Sequence, residues 1–262
     1  HLPLFLFLGV HAFVFQMHEH QQIPPEVSAS ETVCFYQKGD WRDGEKWRPI
    51  ALSNSLYRAV ARWIYSILVV FITPLICSWQ YGGLKGRTTA SATLQLLEHI
   101  AESSGPKSVG IVDFFHAFDS PPKRLLVRAL DLAGTPLVLL LLIISVYLWA
   151  TTTIRGSDEG PFKTSKGVKQ GCPMSCLIFV LFINAILVFL LSVGLKFSAY
   201  VDDISLVLPK GKEQEIFSAV QTEASHYNMQ LNVAKNEVMG LGHHCPPQVT
   251  LPSFSMPPNP AT

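Results

Sequence analysis

The chain has 262 residues, which is enough for one or two domains with a sizeable core. Its formal net charge is +1, so bulk charge does not mark it as a nucleic-acid binder. The five cysteines lack the regular spacing and the second Cys/His pair of a zinc site, so we expect free thiols in a reducing compartment. Because the first residue is His1 and not Met, we expect a piece of a longer protein.

Several apolar runs raise the alternative of a polytopic membrane protein, since 48% of the residues are hydrophobic and the mean hydropathy is +0.29. A spanning helix needs roughly 20 apolar residues. The run 137–149 is too short and predicts a core helix, whereas 176–195 is long enough but contains Asn184 and follows a Gly/Pro-punctuated loop. Residues 2–14 are apolar too, but lack the basic start and cleavage site of a signal peptide.

The predicted elements mix strands with helices of unequal length. In chain order they are a helix over 1–22, a strand at 32–36, a turn-rich loop at 37–46, a short extended piece, a helix capped by Ser53 or Asn54 and ending near Pro74, a helix within 81–103, a strand at 108–114, helices at 125–133 (with Pro121 and Pro122 in the first turn) and 137–149, a hairpin around 156–160, a helix over 176–195, two strands that meet at 202–203, a helix over 212–229, and a strand, turn and strand over 230–242. This mixture, without an internal repeat, predicts an α+β fold.

Three aspartates carry the clearest chemical signal. Asp113 ends one apolar strand, and Asp202 and Asp203 lie inside the apolar run SAYVDDISLVL. Burying unpaired carboxylates is costly, so their charge must be offset. Oxygen ligands suit hard divalent cations, and two metal ions can hold a phosphoryl group during its transfer. On the aspartates alone, a turn at VDD and a helix cap at Asp113 explain the residues equally well.

Six segments in chain order form a further pattern. They are KGDWRDGEKWRPIALSN (38–54), YGGLKGRTTASATLQL (81–96), DFFHAFD (113–119), GVKQGCPMSCLIFVLFINAIL (167–187), YVDD (200–203) and LNVAKNE (231–237). Together they resemble the motifs of reverse transcriptases of the non-LTR, LINE-like retrotransposon class. The 167–187 block is the most specific, and the resemblance covers about residues 23–242. Two departures are Cys176, where the family often has Pro, and His116, where Lys or Arg is usual.

The resemblance implies an RNA-directed DNA polymerase with the right-hand fold. Fingers-like residues 1–107 would precede a palm-like catalytic region over 108–242, with an antiparallel sheet backed by helices; a thumb is absent and 243–262 form a Pro-rich, disordered tail. The implied partners are an RNA template, a DNA primer and dNTPs, with two Mg²⁺ ions or Mn²⁺ in their place. The expected location is intracellular, in nucleus or cytoplasm, without a membrane; oligomeric state and activity without a thumb stay open. An inactive retroelement remnant remains the alternative.

The resemblance also implies the roles of individual residues. Asp113, Asp202 and Asp203 would bind the metals, Lys38 and Arg48 would contact phosphates, Phe118 would exclude a ribose 2′-hydroxyl, Gln170 and Gly171 would form the floor under the incoming base and template, and Lys235 would approach the leaving pyrophosphate. The residues alone allow simpler interpretations for several of these. Phe118 is also compatible with an ordinary core position, the Gln170–Gly171 pair with a helix-entry turn, and the two basic residues with solvated loop charges.

Overall fold

The computed structural model describes residues 25–147 and 150–241. The predicted helix over 1–22, the Pro-rich tail at 243–262 and the last residues of the apolar run 137–149 therefore lie outside the described residues. Within the two described ranges the chain forms strands and helices in an α+β arrangement, which confirms the expected fold class.

The helices and strands are numbered in chain order. They are α1 (Pro25–Ser28), β1 (Ser30–Tyr36), β2 (Trp47–Ser53), α2 (Ser55–Ile72), α3 (Thr89–Glu102), β3 (Lys107–Val112), α4 (Lys123–Leu132), α5 (Leu137–Tyr147), β4 (Thr151–Ile154), β5 (Phe162–Lys163), α6 (Ser175–Ser192), β6 (Lys196–Tyr200), β7 (Asp203–Pro209), α7 (Glu213–His226) and β8 (Glu237–Gly240). Short 3-10 turns occupy Gly44–Lys46, Thr73–Leu75 and Ala117–Asp119.

The first sheet is antiparallel throughout, with strand order β6-β7-β3-β8. Its central strand β3 pairs with β7 so that Val112 lies opposite Ile204. At Gly110 a Cβ atom would lie 2.6 Å from Leu208 Cδ1 and 3.0 Å from the Phe217 ring, because α7 packs closely over the strand. The register places the end of β3 beside the start of β7, which brings the predicted acidic residues to one edge of the sheet.

The second sheet has the order β2-β1-β4-β5. Strands β1 and β2 form an antiparallel hairpin that closes at Tyr36 and Trp47, whereas β1 and β4 run parallel. The pair β4 and β5 forms the hairpin predicted around 156–160. This sheet therefore joins residues 30–53 to residues 151–163, and its β1–β2 hairpin carries basic side chains.

Helix α6 lies in the hydrophobic core and contacts α2, α4 and α7. It is apolar around its whole circumference, as expected of a buried helix, and Phe179 and Ile183 are fully buried. Its one amide, Asn184, accepts a hydrogen bond from Cys77 N (2.8 Å) and donates one to Leu75 O (3.0 Å). The polar residue thus satisfies the backbone of a neighbouring loop, and the prediction of a core helix is confirmed.

Two helical segments among the described residues are long and apolar enough to cross a membrane, Ser55–Leu75 and Ser175–Ser192. For the second, 61% of the apolar window is buried inside the protein; for the first the share is 33%. Length and composition alone do not separate a spanning helix from a core helix. The burial of α6 explains its composition through packing against protein.

Two local predictions were wrong. Pro121 and Pro122 precede α4 and do not lie in its first turn, because Pro122 is extended and bridges Lys166 while Pro121 O accepts from Gly167 N (2.8 Å). The strand predicted at the start of 230–242 is reduced to a single bridge between Leu231 and Phe114. In both places, pairing with a segment distant in sequence determines the backbone conformation.

Candidate active site

The acidic turn is the two-residue connection between β6 and β7. Tyr200 pairs with Asp203, which leaves Val201 and Asp202 as the central residues of the hairpin. Val201 has φ +59°, a left-handed conformation that is uncommon for a β-branched side chain. Such strain costs on the order of 1–3 kcal/mol and persists only where the surroundings enforce it. The strained turn places the Asp202 side chain in the cleft described below.

Asp113 follows β3 and is enclosed by the loop 232–236. Its Oδ2 accepts a hydrogen bond from Asn232 Nδ2 (3.0 Å) and lies 3.4 Å from Lys235 Nζ. Its backbone N–H donates to Asn236 Oδ1 (2.8 Å), and its carbonyl accepts from Asn232 N (2.8 Å). Side chain and backbone of Asp113 are therefore both held by this loop.

The three carboxylates influence one another electrostatically. Burial raises the pKa of Asp202, and the negative charges of Asp203 and Asp113 raise it further, while Arg48 lowers it. Desolvation in the cleft, followed by the charge of Asp113, raises the pKa of Asp203, and Lys235 opposes this shift. Like charges that disfavour each other's ionisation form a site where a cation would relieve the repulsion.

The donor chemistry of these carboxylates fits a hard divalent cation, which prefers oxygen ligands. They do not form a closed set, since no group of three His, Cys, Asp or Glu side chains in residues 25–147 and 150–241 is arranged to hold an ion by itself. Asp113 instead directs Oδ2 towards Asn232 and Lys235. Mg²⁺ commonly keeps several waters and binds through one or two carboxylates plus phosphate oxygens, so an incomplete protein shell suits it.

All nine residues predicted to form the site line one cleft of about 880 Å³. They are Lys38, Arg48, Asp113, Phe118, Gln170, Gly171, Asp202, Asp203 and Lys235. They come from seven separate places in the chain, so only the fold brings them together. Their individual chemical roles remain predictions.

The basic side of the cleft is formed by the β1–β2 hairpin. Lys38 lies in its connecting loop and Arg48 on β2, and both are exposed. Lys46 on the same hairpin lies 3.5 Å from Asp43. The hairpin with Lys38 and Arg48 is called the basic wall of the cleft, and the three aspartates are called its acidic wall; both line the same cleft.

The floor of the cleft is the loop that leads into α6. Gln170 O accepts a hydrogen bond from Ala51 N (2.8 Å), and Gln170 Nε2 donates to Asp119 Oδ1 (3.0 Å). Gly171 has φ +97°, and a Cβ atom there would lie 2.7 Å from Ala51 O. Only glycine allows this approach to β2. The pair is thus a helix-entry turn that also lines the cleft.

Phe118 lies between the cleft and the core. It belongs to the Ala117–Asp119 turn and stacks on Phe179 of α6, with ring centroids 4.4 Å apart and an interplanar angle of 13°. The residue is half-buried and also lines the cleft. The core interpretation and the cleft interpretation therefore describe two faces of the same ring.

Residues 37–248 match the family model for reverse transcriptase (RNA-dependent DNA polymerase). The chain belongs to the reverse transcriptase family. It is 27% identical over 209 residues to the transposon TX1 149 kDa protein of Xenopus laevis, covering 71% of this chain and 16% of that protein. It is also 27% identical over 169 residues to the retrovirus-related Pol polyprotein from the type-1 retrotransposable element R2 of Popillia japonica, covering 63% and 23%.

These relatives confirm the resemblance to LINE-like, non-LTR elements, and this reverse transcriptase chain spans less than a quarter of the length of either. Among solved structures, the fold is similar to apo telomerase from Candida tropicalis truncated from its C-terminal domain (TM-score 0.67, 12% identity, 86% of this chain and 52% of that chain). It is also similar to telomerase from Candida albicans in complex with a fragment of telomeric RNA (TM-score 0.65, 12% identity, 89% and 44%). At this identity the likeness shows the shared fold.

Sequence reasoning missed four polar residues that organise this reverse transcriptase cleft. Asn232 and Asn236 hold Asp113, and Asp119 holds Gln170. All three lie inside motifs that were recognised, so two amides flanking Lys235 and a carboxylate in DFFHAFD were available signals. The fourth, Gln80, precedes the YGG motif and contacts Val201 at a distance of 121 residues, for which the local sequence holds no signal.

Proposed function

We propose that this chain forms the fingers and palm of an RNA-directed DNA polymerase from a LINE-like retroelement. It would extend a DNA primer on an RNA template with dNTPs, inside the cell in the nucleus or cytoplasm. The observation that carries the proposal is the convergence of Asp113, Asp202 and Asp203 in one cleft of a family member. In the same cleft, Lys38 and Arg48 would provide positive charge for a phosphate-rich substrate.

The proposed reaction is attack of the primer 3′-oxygen on the α-phosphorus of the dNTP. A new P–O bond to the primer forms, the bond to the β-phosphate bridging oxygen breaks, pyrophosphate leaves, and the 3′-hydroxyl proton is released. Mg²⁺, or Mn²⁺ in its place, would when bound lower the pKa of the attacking hydroxyl and neutralise phosphate charge. Asp113, Asp202 and Asp203 would hold these ions.

The remaining residues would orient the substrates. Lys38 and Arg48 would bind the triphosphate or template phosphates, and Lys235, 3.4 Å from Asp113, would approach the leaving pyrophosphate. Gln170 and Gly171 would support the incoming base and the template. The Phe118 ring would occupy the space of a ribose 2′-hydroxyl. With a net charge of only +1, affinity for the template would depend on such local contacts and fall with salt.

Primer extension tests this proposal. The chain is incubated with an RNA template, a labelled DNA primer and dNTPs, with and without Mg²⁺. We expect metal-dependent extension that is lost in Asp113→Asn and retained in Asp131→Asn, whose carboxylate is exposed on α4 outside the cleft. Circular dichroism checks that both variants fold.

Two outcomes would contradict the proposal. Extension that survives in folded Asp113→Asn would remove the role of the acidic wall. A folded wild-type chain that binds template and dNTP but incorporates nothing would favour the inactive retroelement remnant.

A further inference from the structure

The side chain of Gln80 contacts the acidic turn from outside the cleft. Its Oε1 accepts hydrogen bonds from Val201 N (2.8 Å) and Gly82 N (2.9 Å), and its Nε2 donates to Val201 O (2.9 Å). The side chain is fully buried. One amide therefore satisfies both backbone polar groups of the single strained residue in the turn.

The chemistry of these contacts requires an amide. The oxygen faces two N–H donors and the nitrogen faces a carbonyl, so the partners determine the orientation of the group. An apolar side chain of the same length would leave the Val201 N–H and C=O without these two partners. An ionised carboxylate would oppose the Val201 carbonyl with a second acceptor.

Gln80 itself lies on a well-anchored segment. Ala199 N donates to Trp79 O (2.9 Å) and Tyr81 N donates to Ala199 O (2.8 Å), so residues 79–81 pair with β6. The Arg87 guanidinium donates to the carbonyls of Cys77, Ser78 and Gln80. The segment therefore acts as an extension of the sheet that carries the turn.

The approach of this segment to the turn is close. A Cβ atom on Gly82 would lie 2.4 Å from both Val201 N and Val201 Cγ2. Glycine at 82 thus lets the backbone contact the turn directly. Val201 is confined by the amide on one side and by this backbone on the other.

We propose that Gln80 is a positioning residue, which holds Val201 in its left-handed conformation and thereby aims Asp202 into the cleft. It touches neither nucleotide nor template, since it does not line the cleft. The effect on catalysis rests on the proposed polymerase function. The clamp, meaning the hydrogen bonds from Gln80 to Val201, is a property of the fold. It assigns a role to a residue outside the recognised motifs.

The test compares Gln80→Met and Gln80→Glu with Ser108→Ala. Ser108 donates to Glu213 Oε1 (2.9 Å) in a buried pair five residues before Asp113 on β3, so its loss destabilises the same sheet away from the turn. In Gln80→Met we expect the hydrogen-exchange protection of the Val201 amide to fall about tenfold or more. Affinity for Mn²⁺, measured by water-proton relaxation, should fall about threefold or more.

Catalytic activity should also distinguish the Gln80 variants from Ser108→Ala. At saturating metal, in Gln80→Met we expect kcat for dNTP incorporation to fall about tenfold or more while KM for dNTP stays within about twofold, because a misaligned carboxylate weakens transition-state stabilisation more than dNTP binding. The kcat of Gln80→Glu, divided by that of wild type at the same pH, should rise as the pH is lowered from about 8.5 to about 6.5. A protonated carboxyl regains the donor that Val201 O needs. Ser108→Ala should show none of these changes.

The inference is overturned if the Val201 amide is as protected in Gln80→Met as in Ser108→Ala, or if Mn²⁺ affinity is the same in both. A wild-type chain that keeps the protected amide and binds Mn²⁺ but extends no primer would support the clamp and contradict the polymerase proposal. A chain that binds no Mn²⁺ would contradict the metal site, and hydrogen exchange would then decide the clamp. Failure of the clamp and failure of the polymerase proposal are therefore distinguishable.

Discussion

The two walls of the cleft are built in opposite ways. On the acidic wall, Asp113 and Asp202 are half-buried, and amides from the distant segments at 80 and 232–236 hold the backbone that carries them. On the basic wall, Lys38 and Arg48 project from an exposed hairpin. Like charges brought together out of water need enforced positions, whereas exposed charges of the opposite sign are screened and can adapt.

This difference predicts where the molecule is sensitive to substitution. The acidic wall combines raised carboxylate pKa values with a left-handed Val201, so its geometry depends on every surrounding contact. The basic wall depends mainly on charge. Changes to the first should act on kcat and changes to the second on KM.

Asp202→Asn should have the largest effect. Removing its charge while keeping its shape should lower nucleotide incorporation about 100-fold or more, since it deletes a ligand needed for transition-state stabilisation. The fold should be at least as stable as wild type at neutral pH, because burial penalises the ionised Asp202. Primer extension and thermal melting measure the two quantities. A variant that incorporates normally, or that unfolds, would contradict this expectation.

Phe118→Ala should have the second-largest effect, and it tests the residue that lies between the cleft and the core. Opening the space beside the Phe118–Phe179 stack should reduce the preference for dNTP over rNTP, taken as the ratio of kcat/KM values, about tenfold or more. Truncating a core Phe can also destabilise a protein by about 3–5 kcal/mol.

The matched control is Phe179→Leu, which loosens the same stack from its fully buried side. It should lower stability and leave the substrate ratio intact. If Phe118→Ala behaves in the same way, Phe118 is only a core residue and its assignment as a gate is wrong.

Arg48→Ala and Lys38→Ala should have smaller effects. Exposed charge contacts are worth about 0.2–1 kcal/mol, so each variant should raise KM for dNTP or template by a factor of about 1.4 to 5 with little change in kcat. The difference from wild type should shrink as salt is raised, because screening already weakens these contacts. Steady-state kinetics at two salt concentrations measure this, and a kcat defect larger than the KM defect would show that the basic wall is not merely electrostatic.

The smallest effect concerns stability. Mg²⁺ at about ten times its Kd should add about 1.4 kcal/mol to the free energy of unfolding and raise Tm by about 3–6 °C. Without metal, the pKa values of Asp202 and Asp203 are higher in the folded chain than the unfolded value of about 3.9. Their contribution to stability is therefore present below the unfolded pKa and is lost as the pH rises through the folded pKa.

The Mg²⁺ effect should therefore be present at neutral pH, where the carboxylates are ionised, and disappear on acidification. Differential scanning fluorimetry across the pH range measures it, with Ca²⁺-free buffer and Asp202→Asn as the reference. An equal Mg²⁺ shift in Asp202→Asn would place the binding elsewhere.

Local sequence determined the secondary structure around the site. Alternating and continuous apolar runs predicted β3, β6 and β7, and the two aspartates at 202–203 predicted where the last two meet, one residue from the observed turn at 201–202. Asn54 caps α2 through Tyr57 N (2.7 Å), one of the two caps expected. These features depend on neighbouring residues only, and the motifs that carry the resemblance are equally local.

Only the tertiary structure decided what these pieces do together. Asp113 and Asp202 meet because β3 pairs with β7, and Gln80 reaches Val201 across 121 residues. The composition of α6 suits a membrane as well as a core, and packing against α2, α4 and α7 distinguishes them. Composition and periodicity determine which face of each segment can be buried. The pairing and register of the strands determine which distant groups that segment contacts.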